Sequence, residues 1–170
     1  MSALKENYFI KQLENGKNLK VCFMVHNAYW CYLEKINKHY PNCKIDVYGS
    51  SMHYFTSRNK DFNLEKNYNY DLIIVDAASL QEIEELYRME IMASKISYNN
   101  QKDVTIGYVY FLPPEERVNE VSRNFIVETF KNGEKNSVDN ISIPNDTVYD
   151  LLNITLKKHE EIDKTKKYIK

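Results

Sequence analysis

"YDLIIVDAASLQE", residues 70–82, decides how the rest of the chain is read. Leu72 to Val75 form a short, uninterrupted apolar run, the pattern of a strand covered on both faces. The strand, read over 71–76, ends on an acid, Asp76, and two small residues follow. Ser79-Leu80-Gln81-Glu82 then matches a capping box, in which each end satisfies an orphan backbone N–H of the other at a helix start. Leu80, Ile83, Tyr87 and Ile91 recur at helical spacing and predict one apolar face of a long helix. The stretch is therefore a βα unit with polar residues at its junction.

The same unit repeats in both directions. Upstream, "LKVCFMV" (19–25) is a second apolar run, and Asn27 can cap a helix carrying Tyr29, Leu33, Ile36 and Tyr40 until Pro41 stops it. "KIDVYG" (44–49) alternates as a strand does, while residues 50–69 are polar, rich in Asn and aromatics, and fit a short helix or a long loop. Downstream, "DVTIGYVYF" (103–111) predicts a fourth strand. Pro113 and Pro114 suit a helix entry, with Val118, Val121 and Phe125 inward and Gly133 past the end. "VDNISIP" (138–144) predicts a fifth strand. A last helix follows, capped by Asn145, Asp146 or Thr147, with Val148, Leu152, Leu156 and His159 along one side.

Five alternating units predict an α/β fold: a doubly wound, mainly parallel five-stranded sheet with helices on both faces, flavodoxin-like, in the order 2-1-3-4-5. The chain reads as a single domain, residues 1–170, with a leading helix in 1–17, the alternating core in 18–162 and a charged tail, 163–170. The charged run from residue 157 onward is expected to be solvated and frayed.

Composition narrows the function classes. In 170 residues, 23 Lys and Arg balance 24 Asp and Glu, so the basic excess that phosphate-backbone binding needs is missing and no nucleic-acid partner is expected. No run approaches a membrane span, and the N-terminus has no apolar core of a signal peptide; a cytoplasmic chain is expected. Three cysteines (Cys22, Cys31, Cys43) form no CxxC pair, and Cys22 inside a strand reads as a core residue. With glycines only at 16, 49, 107 and 133, neither GxGxxG nor a Walker A loop exists, and His26, His39, His53 and His159 lack metal-ligand spacing. No cofactor and no metal are expected.

In an open α/β sheet, ligands gather beyond the carboxyl ends of the strands. That edge collects His26 and Asn27 after strand one and Ser50 and Ser51 after strand two. It also collects Asp76 and Ser79 after strand three, with Tyr110, Phe111, Asn145 and Asp146 further along. His26 and Asp76 are the candidate catalytic pair, since an Asp that orients a His is the arrangement of a general base; the alternative is a hydrogen-bonded pair tying two loops. Asn27, Ser50, Ser51 and Ser79 are the candidate ligand-binding residues.

Asp76, closing the third strand of an alternating chain, resembles the phosphoacceptor of bacterial response-regulator receiver domains, over about residues 18–162. The resemblance implies a degenerate, pseudo-receiver site. Receivers carry an acidic pair after strand one, where this chain has His26-Asn27, and Ser or Thr after strand four, where it has Tyr110-Phe111. They carry Lys-Pro after strand five, where it has Ile143-Pro144. Without the acids Mg²⁺ has little to hold it, and without the Lys a phosphate gains no cation.

The expected function is a non-enzymatic regulatory or protein-interaction domain, with a protein partner or self-association favoured by the 14 tyrosines. The alternative is a small α/β enzyme or ligand-binding domain that takes a phosphorylated or nucleotide-sugar compound at the carboxyl edge.

Overall fold

Four parallel strands and an antiparallel hairpin make one six-stranded sheet in a computed structural model, which describes residues 8–24, 30–48, 67–77, 83–110, 122–144 and 148–168. In chain order the elements are α1 (Tyr8–Glu14), β1 (Leu19–Met24), α2 (Trp30–His39), β2 (Cys43–Tyr48), β3 (Leu72–Ala77) and α3 (Ile83–Asn99). They continue with β4 (Val104–Tyr110), β5 (Ser122–Lys131), β6 (Glu134–Pro144) and α4 (Val148–Tyr168). The sheet order is β2-β1-β3-β4-β5-β6. β2, β1, β3 and β4 are parallel; β5 is antiparallel to β4, and β6 to β5.

The apolar runs that marked the strands are buried on alternate faces. Leu19, Val21, Phe23, Ile45, Leu72 and Ile74 meet α1, α2 and α4 on one side of the sheet. Cys22, Ile73, Val75, Val104 and Ile106 meet α3 on the other. Helices thus cover both faces. α1 ends as its Asn15-Gly16 pair predicts: Gly16 adopts φ 88°, its N–H donates to Leu13 O, and Lys17 N–H donates to Gln12 O.

Three expectations are corrected. The sheet is not a parallel five-stranded one: the segment read as a helix entered at Pro113 and Pro114 is strand β5 from Ser122 onward. "RNFIVETFK" alternates, with Phe125, Val127 and Thr129 on the α4 face and Ile126, Glu128 and Phe130 on the α3 face, a period-two pattern rich in β-branched residues. Asn132 and Gly133, at φ 54° and 85°, turn β5 into β6; this is a two-residue hairpin turn, not a helix stop.

The inward face of α3 also differs. Tyr87 and Ile91 are exposed (65% and 46%), and Leu86, Met89, Met92, Ala93 and Ile96 pack on the sheet instead, because theirs is the longer continuous apolar stripe. Finally, the charged C-terminal run does not fray from residue 157: α4 continues to Tyr168, with His159 buried. Several of its charges are engaged. Glu160 accepts from the Tyr8 hydroxyl and from Lys17 Nζ at 3.1 Å, and Lys158 pairs with Asp139 on β6 at 2.6 Å.

Candidate functional site

Two features of the backbone locate the edge at which a ligand would sit. First, β1 connects through α2 to β2 on one side, and β3 connects through α3 to β4 on the other, so the strand order reverses between β1 and β3. Second, the carboxyl ends of the three strands stand level: Tyr48 of β2 pairs with Met24 of β1, and Met24 with Val75 of β3. With neighbouring strands about 4.8 Å apart, the segments that follow them leave the sheet within roughly 10 Å of one another. β6 returns to the same edge, since its last residue, Pro144, lies opposite Ser122.

Asp76 keeps its place in β3, its backbone in register with Val109 of β4. His26, Asn27, Ser50, Ser51 and Ser79 lie outside the described residues, as do Phe111, Asn145 and Asp146. What the structure brings together is therefore the strand ends that carry the candidates. β1 and β3 are neighbours, as the pairing of His26 with Asp76 requires.

A second polar constellation, under α3, was not anticipated. Glu128 of β5 is 3% exposed. Its Oε2 accepts from the Tyr108 hydroxyl at 3.3 Å and lies 3.4 Å from Lys135 Nζ; its Oε1 has no hydrogen-bond partner. Lys135 of β6 also pairs with Glu90 of α3 at 2.5 Å. Burial, reinforced by the Glu90 carboxylate, pushes the Glu128 carboxyl up to about 7, although Lys135 pulls the other way. Sequence reasoning missed it by placing this segment in a helix. Read as a strand, an acid between Ile126 and Phe130 stands out on an apolar face. Above the cluster lies an open groove of about 500 Å³ lined by Tyr87, Ile91, Ser94, Lys95 and Phe130 with the two ends of the ion pair.

Other polar contacts among the described residues tie elements of the fold together. Tyr70 donates to Asp46 Oδ2 at 2.6 Å and stacks on Tyr68, closing the core beside buried Cys22. Burial raises the thiols of Cys22 and Cys43, the latter to about 12, so both stay protonated and neither is an activated nucleophile. Asp71 ties the amino ends of the strands together by accepting from Lys20 N–H at 2.9 Å and pairing with Lys102 at 2.7 Å. Among the described residues no group of three or more His, Cys, Asp and Glu is placed to hold a metal ion, and no helix is long and apolar enough to cross a membrane.

No protein-family model matches the chain, and no curated protein does. Among solved structures it is similar to an S-adenosylmethionine-dependent methyltransferase from Clostridium acetobutylicum ATCC 824, with 14% identity, 89% of this chain and 77% of that one covered, and a TM-score of 0.31. The resemblance to receiver domains is corrected accordingly. No family model matches, and the unit that should supply the fifth parallel strand is an antiparallel hairpin.

Proposed function

We propose that the protein is a small ligand-binding α/β domain whose site lies beyond the carboxyl ends of β2, β1 and β3, and that it takes a phosphorylated or nucleotide-type compound. The observation that carries this reading is the reversal of strand order between β1 and β3, the place where open α/β sheets leave a crevice. Two further facts support it. Both α2 and α3 begin at that edge, so the positive ends of two helix dipoles converge there and favour an anionic group. The segments leaving β1, β2 and β3 carry His26 and Asn27, Ser50 and Ser51, and Ser79, short side chains that can donate to phosphate oxygens. Asp76, at the end of β3, is suited to accept from a ribose or sugar hydroxyl.

The test is a thermal-shift screen of the full chain against nucleotides, nucleotide sugars and sugar phosphates. A ligand at a hundred times its Kd stabilises the folded state by about 2.7 kcal/mol, which for a chain of this size is a rise of roughly 5–10 °C. The rise should shrink by more than half in Asp76→Asn and in His26→Ala. A shift untouched by either variant would move the site away from this edge.

A second reading, a protein-interaction domain, is favoured by one observation. Tyr87, Ile91 and Tyr98 (69% exposed) form an apolar stripe along the outer face of α3, which none of the described residues covers. Sedimentation velocity should show a concentration-dependent mass that Tyr87→Ser with Ile91→Ser abolishes. A monomer at all concentrations, together with a positive ligand screen, leaves the first reading alone.

A further inference from the structure

Three elements meet at Glu128 of β5, and each presents one polar group to it. α3 brings Glu90, β6 brings Lys135, β4 brings the Tyr108 hydroxyl, and β5 carries Glu128 itself. Glu90 and Lys135 are the charges that act on it. Glu90 and Glu128 both reach the one Nζ of Lys135, at 2.5 and 3.4 Å, and two carboxylates brought together in this way can bond to each other only if one of them holds a proton. Ionised, Glu128 would keep Oε1 buried with no donor, beside a second negative charge and a single lysine. Protonated, it becomes the donor that the pair lacks, and the cluster of two acids and one lysine is neutral. Just beyond it, the hairpin turn is clipped to the same helix: Ser94 Oγ donates to Gly133 O, and Gly133 N–H donates to Ser97 Oγ at 2.9 Å.

We propose that Glu90, Glu128 and Lys135 form a proton-operated latch between α3 and the β5–β6 hairpin, closed while the two carboxyls share one proton and loosened when both are ionised. Loosening would let the hairpin swing from α3 and widen the groove lined by Tyr87, Ile91 and Phe130. The direction with pH follows from proton counting. In the latched state Glu128 keeps its proton up to about pH 7, whereas once released into water it loses it near its ordinary 4.5. Between those values the latched state holds more protons, so raising the pH through the window favours release. The device is independent of the ligand site at the other edge of β1 and β3.

Amide hydrogen exchange of the full chain at pH 5 and pH 8, corrected for intrinsic rates, reads the latch directly. Protection of residues 122–144 and of the facing turns of α3 should fall about tenfold or more across that range, a fold-change set by the two proton affinities, while β1 and β3 stay protected. Glu128→Gln, which keeps a donor and never ionises, should hold the hairpin protected at both pH values. If that variant fails to fold, Glu90→Gln answers the same question from the more exposed side of the pair, since it too leaves one carboxylate and one lysine. A fall in protection that is uniform over the sheet, or that persists unchanged in the Gln variant, overturns the latch.

Discussion

Replacing Gly107 by alanine is expected to destabilise the fold by about 3 kcal/mol, a drop in melting temperature of roughly 6–12 °C. Gly107 sits in the middle of β4, where α4 crosses the sheet. A Cβ built there would lie 1.8 Å from Thr155 Oγ1, 3.0 Å from its Cβ and 3.2 Å from its Cγ2. Rotating Thr155 does not solve the conflict, because its Cβ is already too close and every rotamer of a branched side chain leaves an atom nearby. The hydroxyl is also engaged with Leu151 O at 2.7 Å. α4 must therefore move away from the sheet. One turn further on, that motion strains the buried contact between Thr105 Oγ1 and His159 Nδ1, 2.9 Å apart. Chemical denaturation of Gly107→Ala, Thr155→Ala and the double variant tests the contact as a cycle. Thr155→Ala removes both branch atoms, so the double variant should recover at least about 1 kcal/mol over the sum of the single costs. Simple additivity would mean that the helix does not rest on this glycine.

That close approach could not be foreseen from a lone glycine in a strand, whereas the strand itself could. Val21–Val25 and Leu72–Val75 are apolar without interruption, and such runs suit a strand covered on both faces. The parallel half of the sheet was therefore legible, including the placing of β1 between β2 and β3. The hairpin was not. Val118, Val121 and Phe125 happen to fall at helical spacing behind two prolines, and this pattern competed with the alternation that begins at Arg123. Gly133 fits the end of a helix as readily as the second position of an Asn-Gly turn; the alternating residues on both sides of it carry the distinction. For α3 the sequence offers two apolar stripes, and the longer one, through Leu86, Met89 and Ile96, turns onto the sheet. The candidate ligand edge is legible as a place, because it depends on strand direction and connection. Its proposed chemistry would draw on His26, Ser50, Ser51 and Ser79, which lie outside the described residues. Glu128 was invisible for a simpler reason: an acid in a helix needs no partner, and an acid on the covered face of a strand does.

Phe125 and Ile126 should separate the strand from the helix reading by a factor of about two or more in energy. Phe125 is fully buried against Leu151, Leu152 and the inner strands on the α4 face, and its truncation to alanine should cost about 3–5 kcal/mol. Ile126 faces the other way, is only half-buried, and pairs in the ladder with Tyr108 and Asn140; Ile126→Ala should cost about 1–2 kcal/mol. Val127, two residues from Phe125 on the same buried face, should resemble Phe125 in severity per methyl group removed. The alternation of large, small and large effects along three consecutive residues is what a strand covered by a helix produces, because burial there repeats every second residue. A helix over the same segment would put Phe125 and Glu128, three residues apart, on one face and leave Ile126 and Val127 to the flanks. Urea midpoints for the three alanine variants, at unchanged slope, suffice for the comparison. Equal losses at 125 and 126 would remove β5 from the sheet, and with it the covered strand face on which Glu128 is buried.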